Sequence, residues 1–155
     1  MQCPCVPAWL TVLSALLTPT IALAVAFIAL RQWMTARNKL KYDLFQQRYK
    51  FYENATKFIS CIGATGRAPS DVTTEFLVST KGAHFIVGAE LAKYFDNELF
   101  KKAVLLYALD EDLKGIDSPA KRKENVAQQR EIMDWLANQY AVLDRKFAPL
   151  LKLSH

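Results

Sequence analysis

A basic cluster, Lys121-Arg122-Lys123, contains the residue types that come closest to a binding site in this sequence. The three cations fall in the first turn of a predicted helix, where positive charge opposes the helix dipole. They predict an anion or nucleotide contact, which Arg67 joins if the loops carrying these residues meet in an oligomer. The alternative is a solvated, charged turn without a ligand.

The remaining polar residues do not form a recognisable catalytic pattern. No nucleophile has an identifiable base, and no two carboxylates are spaced for acid–base chemistry. His84 lies beside Phe85 and Ile86, a setting typical of a packed or half-buried side chain. No Cys or His spacing fits a zinc site. The sequence therefore predicts a protein that is not an enzyme and binds no metal or cofactor.

The element that must position any such site is an uncharged stretch of 23 residues, Ala8–Leu30. As a helix it would be roughly 35 Å long, enough to cross a hydrocarbon core of ~30 Å with a modest tilt. Trp9 and Trp33 bracket it at interfacial positions. The alternative is a cleaved secretory signal, but residues 1–7 contain no Lys or Arg, and no tight Ala-x-Ala site precedes a polar domain. We expect an uncleaved transmembrane helix.

Positive charge follows this stretch closely. Residues 31–57 contain seven basic and two acidic side chains, a net +5, whereas residues 58–155 are balanced at thirteen each. The basic segment predicts a cytoplasmic C-terminal side and contact with anionic lipid. Duplex nucleic-acid binding is disfavoured, because it normally needs a basic face on the folded domain. The residues expected at the membrane interface are Trp9, Trp33, Arg31, Arg37, Lys39 and Lys41.

Small and hydroxyl side chains recur every four residues within the span. Such residues let helix backbones approach closely, and hydroxyls bond across helix pairs. They predict a face for self-association, or for lining a narrow pore. Pro19 is expected to be tolerated with nearby hydroxyls. The residues assigned to this face are Thr11, Ser14, Thr18, Ala22 and Ala26.

Helical periodicity continues beyond the span. Helix one is predicted to run on to Ile62 and to end at Gly63. A short helix over about 72–80, a helix over about 89–114 and a helix that starts at Pro119 follow. Helix one has a broad apolar arc, which indicates either two contact surfaces or a helix central in its own bundle. The predicted seams are Leu40, Leu44, Phe51, Ala55, Phe58 and Ile62, with Tyr42, Phe45, Tyr49, Tyr52 and Ile59 beside them; Leu91, Phe95, Leu99, Leu106, Leu109 and Leu113, broken at Lys102; and Val126, Gln129, Met133, Leu136, Tyr140, Leu143, Phe147 and Leu150.

One set of residues forms a recurring pattern: Gln32-Trp33, Arg37, Lys39-Leu40, Asp43-Leu44-Phe45, Arg48, Tyr52-Glu53, Gly88, Glu90-Leu91 and Tyr94. In this pattern the chain resembles a family of small bacterial membrane proteins that is largely uncharacterised and brings no catalytic residues. By architecture alone, the chain is also similar to single-span effectors of anti-phage defence such as the Hailong-type channel effector, a likeness that implies assembly in a membrane.

The expected fold is all-α, with residues 1–7 as an extracytoplasmic tail, residues 8–30 as a transmembrane helix and residues 31–155 as a cytoplasmic bundle of three long helices and one short helix. The expected function is a non-enzymatic, homo-oligomeric effector of a bacterial inner membrane, of the channel or membrane-perturbing type. The alternative is a static anchor that recruits a cytoplasmic protein. Membrane lipid, further copies of the chain, and a cytoplasmic protein or a nucleotide or oligonucleotide are the expected partners.

Overall fold

The computed structural model describes residues 8–152, and the regular elements in that range are helical. Helices account for 88% of the described residues, which include no strand. The predicted all-α class, with one long apolar helix on the N-terminal side, is confirmed. The elements in chain order are α1 (Ala8–Thr65), α2 (Ser70–Thr80), α3 (Ala83–Ile86), α4 (Ala89–Tyr94), a π-helical segment (Phe95–Phe100), α5 (Lys101–Lys114) and α6 (Pro119–Phe147).

The chain divides into two compact units, Met1–Tyr42 and Asp43–His155. The described part of the first unit consists of α1 residues alone, and each of its residues whose burial is described is exposed. The second unit holds the rest of α1 and all of the later helices. The boundary between the units lies further along α1 than Leu30, where the apolar stretch ends.

The helix ends follow the local chemistry of the sequence, with one correction. Ser118 and Gly115 occupy the predicted cap positions of α6 and α5, and Pro119 opens α6. Helix α1 does not stop at Gly63 but continues to Thr65. Gly66 takes a φ of 68°, and its N–H donates to the Ile62 carbonyl at 2.8 Å. The left-handed conformation that glycine favours at a helix end is therefore used at Gly66 rather than at Gly63.

An apolar core fills the second unit, and phenylalanines from four elements run through it. Phe58 of α1 stacks on Phe76 of α2 with ring centroids 4.1 Å apart. Phe76 meets the edge of Phe95 at 5.8 Å, and Phe95 packs on Phe147 of α6 at 6.2 Å. Such pairs contribute about 0.5–1.5 kcal/mol beyond area burial. The other large side chains that are fully buried are Ile59, Ile62, Leu99, Leu106, Leu136 and Leu143.

The π-helical segment changes the face that α5 presents to the core. Leu91, Phe95 and Leu99 are buried as predicted, but the next buried position is Ala103 rather than Lys102. A π turn holds more residues than an α turn, so the four-residue spacing of buried positions continues through this segment to Ala103. Lys102 is half-buried instead, with its Nζ 5.7 Å from the ring centroid of Trp135. The predicted polar break in the core seam is therefore wrong.

Helix α6 buries part of the predicted seam and, at three other positions, the residue directly before it. Leu136, Leu143 and Phe147 are buried as predicted, whereas Val126 and Tyr140 are exposed. The positions directly before the predicted sites are buried instead, namely Asn125, Ile132 and Gln139. Two of these three residues are polar, which is why apolar periodicity selected the neighbouring positions.

Hydrogen bonds offset the burial of these polar side chains. The Tyr94 hydroxyl donates to Gln139 Oε1 at 2.8 Å, and Gln139 Nε2 donates to the Trp135 carbonyl at 2.9 Å. Asn125 Nδ2 donates to the Leu109 carbonyl at 3.0 Å. Within residues 8–152, no buried side-chain nitrogen or oxygen lacks a partner. A buried polar group is tolerated when it is bonded in this way.

Candidate functional site

Helix α1 carries the surface with the clearest functional character. Among the described residues, one helix is long and apolar enough to cross a membrane; its most apolar window lies within Pro19–Thr65, has a mean hydropathy of 1.3 and is 0% buried. The helix passes through Pro19, and the Thr20 hydroxyl donates to the Leu16 carbonyl. The apolar N-terminal part of α1 is therefore a candidate membrane span.

The structure describes the side chains of two of the five residues predicted to form the association face. Ala22 and Ala26 are exposed on α1. The side chains of Thr11, Ser14 and Thr18 lie outside the described residues.

The predicted membrane-interface residues are exposed along the same helix. Trp9 and Trp33 are 65% and 60% exposed. The Arg31 guanidinium lies 5.7 Å from the Phe27 ring centroid, and that of Arg37 lies 5.5 Å from the Trp33 ring centroid. Cation–π contacts at exposed sites contribute about 0.5–1 kcal/mol. They hold each cation against an aromatic ring of its own helix. Lys39 and Lys41 are exposed as well.

The predicted core seam of α1 is buried over part of its length. Ala55, Phe58 and Ile62 are buried in the second unit. Leu40 and Leu44, which continue the same three–four spacing toward the N-terminus, are exposed. The exposed fraction of Leu40 is 61%. Tyr42 and Tyr49 of the adjacent aromatic seam are exposed too. Apolar side chains therefore remain in contact with solvent on α1, beyond the uncharged stretch.

Arg48, in the part of α1 that belongs to the second unit, binds two segments that are distant from it in sequence. Its Nε donates to the Ile86 carbonyl at 3.4 Å, and one terminal nitrogen donates to the Leu150 carbonyl at 3.1 Å. One turn further, the Tyr52 hydroxyl donates to Asp144 Oδ1 at 2.7 Å. This hydrogen bond is the largest cause of the raised pKa of Tyr52. In the sequence, Arg48 is one of the basic residues that follow the span. Nothing in the sequence indicated that its guanidinium would bind the Ile86 and Leu150 carbonyls.

The predicted anion site is not assembled within one chain. Arg67 Nε lies 3.6 Å from Asp110 Oδ1. Lys121, Arg122 and Lys123 are exposed on α6, and no hydrogen bond or ion pair among the described residues joins them to Arg67. Arg122 and Lys123 line a shallow groove whose other residues are also from α6. The helices that carry Asp110 and the basic cluster are in contact nearby, because Asn125 Nδ2 donates to the carbonyl of Leu109, the neighbour of Asp110.

His84 differs from its predicted environment. It is exposed, and its ring lies 3.6 Å from the Phe85 ring between centroids. Phe85 is itself 80% exposed, so the pair stands on the surface rather than in the core. The expectation of a packed or half-buried histidine is wrong, because helix α3 has four residues and buries Ala83 alone.

Within residues 8–152, no three or more His, Cys, Asp or Glu side chains lie close enough together to hold a metal ion. Comparison with protein-family models, curated proteins and solved structures returns no match for this chain.

Proposed function

We propose that this protein is a non-enzymatic, homo-oligomeric effector of a bacterial inner membrane, of the channel or membrane-perturbing type. In this proposal, residues 8–30 cross the membrane with the N-terminus outside. Residues 31–155 form a cytoplasmic bundle of three long helices and one short helix that holds the assembly together and receives a signal. The observation that carries the proposal is the exposed apolar face of α1 beyond the uncharged stretch, at Trp33, Leu40 and Leu44.

A second copy of the same chain is the partner that fits this face best. Copies inserted in one membrane with the same topology are parallel and begin at the same depth. Each copy therefore presents Trp33, Leu40 and Leu44 at the same height as its neighbour. Residues with three–four spacing form one stripe on a helix, and parallel stripes pack by interdigitation. Burying such side chains contributes about 1.5–3 kcal/mol for each one that becomes fully covered.

The span supports the same assembly. Ser14, Thr18, Ala22 and Ala26 give neighbouring helices a small-residue stripe, which allows close approach in lipid. Hydroxyl groups on that stripe would also suit the wall of a narrow conduction path. A role in anti-phage defence belongs to this proposal through the architectural likeness to Hailong-type effectors, which is an analogy.

The incoming signal is assigned to the second unit. Arg67 and the cluster Lys121-Arg122-Lys123 are exposed cations that neighbouring copies would bring together, and they would suit a nucleotide or oligonucleotide. A cytoplasmic protein is the other class of signal.

The mass of the full-length particle in detergent tests the assembly. About four or more single-span subunits are needed to surround even a narrow pore. The double variant Leu40→Gln/Leu44→Gln should lower this mass. The matched control Val78→Gln/Phe85→Gln changes two exposed apolar residues of the second unit and should leave the mass unchanged. A monomer or dimer for the unaltered chain would refute the channel proposal.

Conductance of the reconstituted chain tests the role of the span. Ser14→Leu/Thr18→Leu replaces both hydroxyls by larger apolar groups and should change the conductance or the assembly. If both quantities match those of the unaltered chain, the assignment of this stripe is refuted.

A static anchor that recruits a cytoplasmic protein is the second candidate. It is favoured by Val78 and Phe85, which are 68% and 80% exposed on the second unit. Under this candidate, Val78→Gln/Phe85→Gln removes partner binding, whereas Leu40→Gln/Leu44→Gln has no effect on it. The same two variants therefore separate the two candidates.

A further inference from the structure

The ionisable residues near the candidate span all have the same sign. Residues 1–42 contain Arg31, Arg37, Lys39 and Lys41, and they contain no Asp, Glu or His. The first acidic residue of the chain is Asp43. Any conduction path built from this part of α1 therefore has basic and no acidic side chains near its C-terminal mouth.

Arg31 and Arg37 carry their charge on the surface of α1. All four side chains are exposed. No ion pair to Arg31, Arg37 or Lys39 occurs in the part of the chain that the structure describes. Arg31 and Arg37 instead lie against Phe27 and Trp33, contacts that leave the positive charge in place. The charge is therefore fixed along α1 and available to mobile ions.

We infer that the proposed channel selects anions over cations, and that Arg31 and Arg37 are the residues that determine this selectivity. The inference rests on the proposed channel function, and it names the class of ion that this channel conducts. Rings of Arg or Lys side chains favour anions in pores, as rings of Asp or Glu favour cations.

The sign of the selectivity does not depend on which face of α1 lines the path. Every side chain that is charged at neutral pH between residues 1 and 42 is basic. Two of the four, Arg31 and Arg37, come first after the uncharged stretch and so lie nearest to the narrowest part of the path. Cyclic repetition multiplies each charge by the number of copies.

The size of the effect follows from the potential at the mouth. Charged clefts in proteins reach potentials of several kT. If removal of the Arg31 and Arg37 charges lowers the mouth potential by about one kT, the local anion concentration falls and the cation concentration rises, each about e-fold, so the chloride-to-potassium permeability ratio falls about sevenfold. Salt should weaken the selectivity, because the Debye length shortens from ~10 Å at 0.1 M to ~3 Å at 1 M.

The test is the reversal potential of the full-length chain in neutral phosphatidylcholine bilayers under a KCl gradient. Neutral lipid is used because anionic headgroups would screen the basic residues. The unaltered chain should give a reversal potential of the sign set by chloride. Arg31→Gln/Arg37→Gln should lower the permeability ratio about sevenfold. Arg31→Lys/Arg37→Lys keeps the charge and should retain the ratio.

Two controls separate charge from changes in folding or assembly. Asp43→Asn removes the nearest acidic group and should not lower the ratio. Particle mass in detergent should be the same for all variants, so a change in selectivity reports on the conduction path. Selectivity for potassium, or a ratio that the glutamine variant leaves unchanged, would overturn the inference while the channel function stands. Absence of any conductance would overturn the channel proposal and the inference with it.

Discussion

The hydrogen bond between Tyr94 and Gln139 gives the sharpest test of the face that α6 presents to the core. The two side chains are 8% and 6% exposed, and the hydroxyl donates to Gln139 Oε1 at 2.8 Å. Gln139→Leu would place an apolar residue on the buried face but leave the Tyr94 hydroxyl without an acceptor. Leaving a buried donor unsatisfied costs about 1–3 kcal/mol. Tyr94→Phe leaves Gln139 Oε1 without a donor and should cost a similar amount.

The double variant Tyr94→Phe/Gln139→Leu removes both polar groups, and so it should cost less than the two single changes together. We expect a coupling energy of at least about 1 kcal/mol, which is in the range found for residues in direct contact. The assay is denaturant unfolding of the full-length chain in detergent, followed by circular dichroism. Val126→Gln is the control at an exposed position of the same helix and should change the free energy of unfolding by less than about 0.5 kcal/mol.

Additivity of the two single changes would refute this reasoning, because it would mean that the two side chains do not share a bond. A loss of more than about 2 kcal/mol in Val126→Gln would also refute it, since such a loss is expected from a core position and not from a surface one.

Two further outcomes are expected. Burial raises the pKa of Tyr94 above its ordinary value of 10.0, so folding favours the neutral phenol. The resulting stability is present below pH 10 and is lost as the pH rises toward the folded-state pKa. Tyr94→Phe should flatten this alkaline decline in melting temperature, and an unchanged slope would contradict the assignment. Arg48→Met keeps the stem but removes the donors to Ile86 and Leu150, and it should destabilise the second unit by about 1–3 kcal/mol in the same unfolding assay. Lys50→Met is its exposed control, and equal losses in both variants would show that the two hydrogen bonds contribute nothing.

Local chemistry predicted most of the helix boundaries. Ser118-Pro119 and Gly115 act within a few residues of themselves, so their effect can be read directly from the sequence. The predicted end of α1, Ile62, was wrong by three residues, because the helix continues to Thr65. Either Gly63 or Gly66 could have supplied the terminating glycine. Composition alone does not say which glycine takes the left-handed conformation.

The buried face of α6 could not be predicted from apolar periodicity. Asn125 and Gln139 are buried because their partners, the Leu109 carbonyl and the Tyr94 hydroxyl, come from other helices. A sequence pattern does not show which distant groups will meet. The same reason applies to Arg48, whose acceptors are two backbone carbonyls that carry no signature in residue type.

The candidate site divides in the same way. The uncharged stretch and the cations that follow it are properties of composition, and the cations are exposed on α1. The proposed anion site depends on whether Arg67 meets the cluster Lys121-Arg122-Lys123, and that meeting requires more than one chain.

The order of synthesis gives the core of the second unit a further consequence. Phe58 of α1 and Phe147 of α6 belong to the same core, yet about 90 residues separate them along the chain. At about 5–20 residues per second, the apolar face of α1 waits roughly 5–20 s for its partner helix. During that interval the apolar stretch at residues 8–30 has already left the ribosome, so the candidate span is available for insertion before the second unit can close. Phe58, Ile59 and Ile62 therefore stay exposed on the nascent chain until α6 arrives, and a truncation before Leu136 should leave that face permanently open.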